Sequence, residues 1–491
     1  MSAKTLMIAG TMSSVGKSLI TAGLCRLFAR NGVSVAPFKA QNMSNNAAVC
    51  ADGGEIGRAQ AIQAQAARIL PTVDMNPILM KPEADYKSQI IVQGAPIGTF
   101  SGRDYYRMRE SLWGNVTESL DRLREAHELV LIEGAGSIAE LNLAGNDIVN
   151  LRVARYANAP VLLVGDIDRG GIFAQLLGSR SLLDPGDQAR IRGFIVNKFR
   201  GDSALFADGV RILETRPHGA PVVGVVPWLK RHRIPDEDAA AFSDGVSPDP
   251  NAAKIAVVQL PHISNFDDFD PLKYEKFVDL RYAKKPADLT QSRAIILPGT
   301  KNTIGDLRWL RKSGLFDEIR KRYENGTPVV GICGGYQVMG TRINEGAESE
   351  SGLSILPIET QFSETKTTCQ VTRRVVADRG LFAALNGEIV SGYEIHHGRT
   401  ASTAPLFSAV DDASETDGSL APDGKSFGTY LHGLFFNDSF RRSWLKSLGI
   451  APDPENDAAK ISDAFNALAD HLEKNLNISQ LKRILNESEA G

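Results

Sequence analysis

Cysteine is scarce in this 491-residue chain, which has four such residues and no CxxC pair. Cysteines this far apart form neither a structural zinc site nor a disulfide framework. They fit a protein of the reducing cytoplasm, where thiols stay free. The cysteines are Cys25, Cys50, Cys333 and Cys369.

The sequence also lacks a long apolar run and an excess of charge of either sign. No stretch approaches the about 20 apolar residues that span a bilayer, and the apolar residues 6–9 are too few for a signal peptide. A net charge of −3 without a dense basic block gives no reason to expect a nucleic acid partner. We therefore expect a cytoplasmic protein with neither membrane nor nucleic acid as a partner. The length predicts two to four domains.

A glycine- and serine-rich loop follows the first predicted strand, residues 5–9. The loop, residues 10–18, has the sequence GTMSSVGKS, one residue longer than the common P-loop, and leads into a helix with apolar residues at helical spacing. The N–H groups of such a loop cradle phosphates, its lysine reaches the outer phosphates, and its serine hydroxyl binds Mg²⁺. A chance Gly-Lys-Ser in a strand–helix turn is the alternative. The predicted ATP-binding residues are Thr11, Val15, Gly16, Lys17 and Ser18.

Acidic and amide side chains near this loop are candidate ligands for the metal and the nucleotide. Glu133 ends the predicted strand 129–132, where a Mg²⁺-binding acid belongs beside a P-loop. Either Asp52 or Glu55 could help to hold the metal. Asn197 follows a later strand, where it either reads an adenine edge or caps a turn.

Two polar segments are candidates for substrate binding. The amide-rich residues 41–46 and the loop 147–150 could bind a polar ligand or simply turn the chain. The Ala- and Gln-rich stretch 55–70 after the first segment predicts a helix. The substrate candidates are Gln41, Asn42, Asn45, Asn46, Asp147 and Asn150.

Alternating strands and helices predict an α/β fold with two doubly wound parallel-sheet domains. A charged, Ala-rich segment with few large apolar residues separates the two and is interpreted as a linker. The expected divisions are 1–235 for the P-loop domain, 236–253 for the linker, 254–447 for the second domain and 448–491 for a helical tail that packs.

In the second domain, a cysteine lies between glycines directly after a β-branched strand, in residues 331–337, GICGGYQ. A nucleophile on a sharp turn from strand to helix is a nucleophile elbow. The N–H groups of Gly334 and of Gly299, after another strand, can face a developing oxyanion. A thiol needs a base to become a thiolate, and His432 offers one at a later strand end. The alternative for Cys333 is a buried structural role.

The adjacent His396 and His397 are expected on opposite faces of one strand, one buried and one exposed, and so are poor joint metal ligands.

Several segments resemble those of the cobyric acid synthase family of glutamine-dependent amidotransferases. The first domain is similar to dethiobiotin synthetase in its longer loop and its Glu-Gly-Ala-Gly strand end. The second is similar to class I glutamine amidotransferases, whose Gly-x-Cys-x-Gly-x-Gln pattern it meets. The segments are PFKAQNMSNN (37–46), GDIDRGG (165–171), NKFRGD (197–202) and GYEIHHGR (392–399), and the pattern residues are Gly331, Cys333, Gly335 and Gln337.

The resemblance implies four sequential amidations of a small corrinoid, adenosylcobyrinic acid a,c-diamide, at its b, d, e and g side chains. ATP and glutamine would be co-substrates, and Mg²⁺ would bind at Ser18 and Glu133. Cys333 would be the nucleophile, His432 its base, and Gln337 part of the glutamine site. No acid follows His432 at the usual spacing, so Glu394 is the candidate for orienting the imidazole.

Two alternatives stay open. One is an amidotransferase for another acid, such as a cell-wall lipid or the earlier corrinoid of cobyrinic acid a,c-diamide synthases. The other is a partitioning-type P-loop ATPase whose thiol domain only binds.

Overall fold

The computed structural model of the chain describes residues 3–83, 86–229, 233–235, 249, 251–454 and 459–487. Its strands are β1 Lys4–Gly10, β2 Val35–Phe38, β3 Gln41–Met43, β4 Ala47–Val49, β5 Glu55–Gly57, β6 Ile78–Pro82, β7 Lys87–Val92, β8 Ala95–Ser101, β9 Leu129–Glu133, β10 Val161–Asp166, β11 Ile191–Phe199, β12 Val222–Pro227, β13 Ala253–Val258, β14 Val278–Ala283, β15 Ala294–Leu297, β16 Val329–Ile332, β17 Arg342–Glu345, β18 Glu348–Ser351, β19 Glu359–Val375, β20 Ile389–Thr400, β21 Phe407–Ala409, β22 Thr416–Asp417, β23 Ser419–Leu420 and β24 Phe427–Thr429. Its α-helices are α1 Lys17–Arg30, α2 Arg58–Ala67, α3 Gly102–Ala126, α4 Leu151–Tyr156, α5 Ile172–Ser181, α6 Pro185–Arg190, α7 Ala207–Thr215, α8 Asp270–Lys273, α9 Thr303–Ser313, α10 Leu315–Glu324, α11 Gly334–Met339, α12 Asp438–Ser447, α13 Ala459–Asn475 and α14 Ile478–Glu487.

The first domain is built on a parallel sheet with the strand order β12-β11-β10-β1-β9-β2. Its central strands are apolar and buried, as expected for a sheet covered on both faces. The strand order reverses around β1, which makes the carboxyl end of β1 a switch point where ligands bind in such sheets. The predicted α/β fold is confirmed, and the phosphate loop lies at this point.

The second domain has a sheet in the order β14-β13-β15-β16-β24-β23, parallel except for β23. The strand β16, which leads into the cysteine, lies between β15 and β24. Because the three neighbours are parallel, the residues that follow them meet at one edge. This topology brings Gly299, Cys333 and His432 together.

Smaller sheets lie where the two domains meet. One has the order β3-β6-β7-β8, another pairs β4 with β5, and a third extends the second domain through β17 to β22. Apolar side chains of β4, β6 and β7 pack against Tyr393 and Ile395 of β20. The predicted helix 55–70 is wrong in its first turn, because residues 55–57 pair with β4 as strand β5 and the helix α2 begins at Arg58.

The last two helices pack on the first domain, although they follow the second domain in sequence. Leu468 and Leu472 of α13 lie against α1, where Gly23 leaves them room. The backbone N–H of Asn477 donates to the carbonyl of Val223 at 2.7 Å. The helix before them, α12, packs in the second domain through Trp444 and Leu445.

The predicted linker falls largely outside the described residues, since 236–248 and 250 belong to the parts not described, and β13 starts at Ala253. Among the helices of the described ranges, none has the length and apolarity that crossing a membrane requires. All four cysteines are free thiols.

Candidate active site

Cys333 occupies a strained turn between β16 and α11. Its φ of 52° and ψ of −109° are rare for a residue other than glycine, and such strain concentrates at functional positions. Its N–H donates to the carbonyl of Thr429 on β24 at 2.8 Å. The turn fits only because Gly335 lacks a side chain, since a Cβ there would collide with the carbonyl oxygen of Leu297.

The imidazole of His432 lies beside this thiol and is held by an acid from another part of the domain. His432 Nδ1 is 2.7 Å from Asp268 Oδ2, and the other oxygen of Asp268 accepts from the N–H of Gly433 at 2.8 Å. The ring of Tyr393 stacks on the imidazole with the centroids 5.1 Å apart. Both His432 and Asp268 are buried.

The charges of these groups favour a thiolate–imidazolium pair. Burial would raise the pKa of Cys333, but the hydrogen bond and charge of His432 lower it below its ordinary value of 9.0. Burial would lower the pKa of His432, but the charge and hydrogen bond of Asp268, together with Cys333, raise it to about 10. The thiol is therefore poised as a nucleophile and the imidazole as its proton partner.

Asp268 is the residue that the sequence reasoning missed, and Glu394 does not take its place. Glu394 pairs instead with Arg373 at 2.8 Å and lies 3.4 Å from His396. The signal available in the sequence was the acid-rich stretch 265–270, NFDDFD, which follows the first strand of this domain. Its separation of 164 residues from His432 gives no local pattern that would select it.

Neither of the adjacent histidines is exposed, so the prediction of one exposed ring is wrong: the side chain of His396 is 10% exposed and His397 is partly buried. His396 stacks on Tyr430 with a centroid distance of 3.7 Å, and His397 Nδ1 lies 3.3 Å from the carbonyl oxygen of Ser363. The two rings thus have separate partners within the protein.

The glycines predicted to form an oxyanion site lie next to the thiol and the imidazole. Burial, which raises the pKa of Cys333, and His432, which lowers it, have the largest effects on this thiol. The backbone N–H of Gly334 also lowers the pKa of Cys333, to a smaller extent. A Cβ on Gly299 would be 3.2 Å from His432 Cε1. Gln337 is also close, but its amide is bonded to Thr303 at 2.9 Å and Tyr430 at 3.2 Å.

The phosphate loop of the first domain is shaped by left-handed backbone and by side-chain contacts. Gly16 has a φ of 101°, which favours glycine. Asn197 Nδ2 donates to the carbonyl of Val15 at 2.7 Å, so this amide braces the loop. Lys17 Nζ donates to the carbonyls of Met12 and Gly136, both at 3.0 Å. Thr11 contacts Gln175 at 3.2 Å.

Ser18 and Glu133 meet at the end of this loop, as the sequence suggested. Ser18 Oγ donates to Glu133 Oε1 at 2.8 Å, and Lys39 Nζ donates to the same oxygen at 2.8 Å. Within the described part of the chain, no group of three or more His, Cys, Asp or Glu residues could hold a metal. A hydroxyl and one carboxylate nevertheless fit Mg²⁺, which is commonly held by few protein ligands together with phosphates and water.

The remaining metal candidates are placed elsewhere. Glu55, one of the two alternatives, has both carboxylate oxygens bonded to lysines, Lys81 and Lys366. Asp52 is exposed, and its carboxylate accepts from the N–H of Gly54 at 3.1 Å in a tight turn.

Most of the substrate candidates are drawn into contacts within the protein. Asn42 donates to Gln60 at 3.1 Å, and Asn46 accepts from the N–H of Phe266 across the domain interface at 3.3 Å. Asn150 donates to the carbonyl of Ala135 at 2.8 Å, and its own N–H donates to Asp147 at 3.0 Å. The other two candidates are Gln41, whose side chain accepts from Tyr105, and Asn45, which is partly buried.

One helix, α2, contacts both centres. Arg58 at its start pairs with Asp267, the neighbour of Asp268, at 2.7 Å. Gln63, further along the same helix, donates to Glu133 of the phosphate loop centre. The two centres are therefore joined by one rigid element.

Comparison with known proteins agrees with this two-centre architecture. Residues 254–440 match the model of the CobB/CobQ-like glutamine amidotransferase domain, and residues 6–239 match the CobQ/CobB/MinD/ParA nucleotide binding domain. Among solved structures, PurLQS from Thermotoga maritima covers 44% of this chain and 98% of its own, at 20% identity and a TM-score of 0.31, too distant for inference.

Proteins described as cobyric acid synthase are similar over the whole length. The one from Chloroflexus aggregans is 50% identical and covers 100% of both chains. The one from Roseiflexus castenholzii is 51% identical over 96% of this chain and 97% of its own. The one from Desulforudis audaxviator is 44% identical over 99% of this chain and 100% of its own. This chain therefore belongs to the cobyric acid synthase family.

Proposed function

We propose that the protein uses ATP and glutamine to amidate the b, d, e and g carboxylates of adenosylcobyrinic acid a,c-diamide, in the cytoplasm. The observation that carries the glutaminase half is the buried arrangement of Cys333, His432 and Asp268. The full-length similarity to cobyric acid synthases supports the corrinoid. The four positions follow from the family resemblance.

In the glutaminase half, the Cys333 thiolate attacks the carboxamide carbon of glutamine. The oxygen that becomes negative faces the N–H groups of Gly334 and Gly299. His432, as imidazolium, gives its proton to the leaving nitrogen, so ammonia departs and a thioester forms. Neutral His432 then takes a proton from water, which hydrolyses the thioester to glutamate and restores the thiolate.

In the ATP half, the acid's carboxylate attacks the γ-phosphorus, which gives an acyl phosphate and ADP. Ammonia then displaces phosphate and leaves the amide. Lys17 would neutralise charge on the transferring group. Mg²⁺, held by Ser18 and Glu133, would supply further positive charge there.

Two rival functions are disfavoured. A partitioning-type ATPase with a non-catalytic thiol domain has no need of a lowered thiol pKa at Cys333 or of a buried acid behind His432. An amidotransferase for a different acid is disfavoured by the full-length relatives, which are described as cobyric acid synthase.

Mass spectrometry tests the proposal directly. We would incubate the enzyme with adenosylcobyrinic acid a,c-diamide, ATP, Mg²⁺ and glutamine. We expect successive small mass decreases, one for each exchange of OH for NH₂, that stop after the fourth. An unchanged corrinoid while glutamine is hydrolysed would refute the substrate and keep the amidotransferase.

A matched variant separates the two halves. Cys333→Ala should lose glutamine-dependent amidation and keep amidation with ammonium chloride. Equal glutamine-dependent rates in the variant and the parent would refute the assigned nucleophile.

A further inference from the structure

Three lysine side chains meet between the two domains. Lys81 lies on β6 of the first domain, whereas Lys301 follows β15 and Lys366 lies on β19 of the second domain. Lys81 and Lys366 both donate to the carboxylate of Glu55. We call these four residues the interface lysine cluster.

The cluster carries more positive charge than its carboxylate balances. The side chains of Lys81, Lys366 and Glu55 are 2%, 5% and 1% exposed. Among the described residues, Glu55 is the one carboxylate in an ion pair with these lysines. Lys301 is partly exposed and donates instead to the neutral amide oxygen of Gln89 at 3.1 Å, while the charge of Glu83 acts on it from further away. Buried charges in proteins are normally paired, because an ammonium without a counter-charge loses its hydration. Two lysines that share one carboxylate, beside a third, form a cluster that an anion would stabilise.

The like charges also face one another across the interface. Burial, and then the charges of Lys81 and Lys366, hold the pKa of Lys301 well below its usual range. Such repulsion opposes docking of the two domains. An anion bound among the three lysines would favour their protonated forms and offset the repulsion from both sides.

The cluster adjoins the thiol centre. Lys301 comes two residues after Gly299, which lies against His432. Burial lowers the pKa of Lys81, while the charge of Cys333 is among the groups that raise it, so the two side chains are within electrostatic range. An anion bound at the cluster would therefore lie near the thiol centre.

We propose that the interface lysine cluster binds a carboxylate, and that Lys301 contacts it directly. Two compounds of the proposed reaction carry one. Glutamine carries an α-carboxylate at the other end of the molecule from the side-chain amide that Cys333 attacks. The acid to be amidated has several carboxylates. The inference rests on the proposed function, since its ligands come from that reaction.

Calorimetry on the full chain tests the first source. In the Cys333→Ala background, glutamine binds without turnover, and adding Lys301→Gln should weaken its binding at least tenfold, or about 1.4 kcal/mol. Lys301→Arg keeps the charge and should retain most of the affinity. Lys312→Gln, the same change at an exposed position on α9, should have no effect.

Steady-state kinetics tests the second source. With ammonium chloride as nitrogen donor, the Michaelis constant for adenosylcobyrinic acid a,c-diamide is compared between the parent and Lys301→Gln. A change confined to glutamine binding assigns the site to glutamine, and a change confined to the acid assigns it to the acid. Unchanged values for both ligands, in a variant that melts like the parent, overturn the proposal.

A second variant guards against a folding defect at Lys301. Lys81→Met, in the other domain, should weaken the same ligand. Failure of the proposed function would look different, because the parent protein would then not hydrolyse glutamine.

Discussion

Replacing Asp268 by Asn should raise the pKa of the Cys333 thiol and so reduce its reactivity, while the thiol itself stays in place. In the folded protein the pKa of His432 stands at about 10 against 6.5 for the ordinary group. At about 1.4 kcal/mol for each unit, this difference corresponds to about 5 kcal/mol in favour of the imidazolium. In Asp268→Asn, the side-chain oxygen would still accept from Gly433 while the NH₂ group faces Nδ1 of the imidazole. The imidazolium then loses its counter-charge, and the neutral ring takes the wrong tautomer for accepting the thiol proton.

Alkylation of Cys333 by iodoacetamide against pH, followed by peptide mass spectrometry, measures the effect. In the parent, the thiolate forms at a pH below 9.0 because His432 lowers the thiol pKa. In Asp268→Asn we expect the midpoint to move at least about one pH unit upward, and glutaminase kcat to fall by about 10²- to 10⁴-fold, as in related triads. Glu348→Gln, at an exposed position on β18, should keep the parent's midpoint. The same midpoint in Asp268→Asn and the parent, with kcat within threefold, would refute the role of Asp268.

Three further changes test other parts of the molecule. Glu133→Gln should abolish ATP-dependent amidation even with ammonium chloride, because Ser18 and Lys39 lose their carboxylate, while glutaminase activity persists; amidation at the parent's rate would contradict this. Burial and the charge of Glu394 raise the pKa of Asp417 from 3.8 to about 6, so the stability that its protonation contributes is full below pH 3.8 and is lost as pH rises through about 6. Asp417→Asn should therefore be more stable than the parent at pH 8, by up to about 3 kcal/mol in the free energy of unfolding, and equally stable near pH 4. The same difference in stability at pH 4 and pH 8 would count against this reasoning. Leu472→Ala on α13 should cost the first domain about 2–5 kcal/mol and weaken ATP binding, and an unchanged melting temperature would show that α13 is dispensable.

The sequence predicted those parts of the site whose geometry is determined within one short segment of the chain. The phosphate loop and the turn at Cys333 combine strand, glycines and helix within a few residues, so spacing alone places Lys17, Ser18 and the thiol. His432 could be added because it also follows a strand closely, and parallel neighbours align their ends. The parallel-sheet fold followed from the same alternation of strands and helices.

Asp268 and Glu55 escaped prediction because their partners are remote in sequence. Asp268 lies in a short acid-rich turn that carries no motif, and only the folded domain brings it to His432. Glu55 stands in a stretch with helical composition, but pairing with β4 makes it a strand residue that faces two lysines. An amphipathic pattern likewise shows that α13 must pack, without saying on what.

Because α13 and α14 pack on the first domain, they affect the order in which the two domains can fold during synthesis. The ribosome completes the glutamine-hydrolysing domain before it delivers Leu468 and Leu472, which finish the core around α1. The apolar face of α1 in the ATP-binding half gains its packing partners on α13 and α14 only when residues 459–487 have emerged. A nascent chain that stalls between the two stages would lack a finished ammonia acceptor, so chains cut short there should be recognised by their exposed apolar α1 face and degraded.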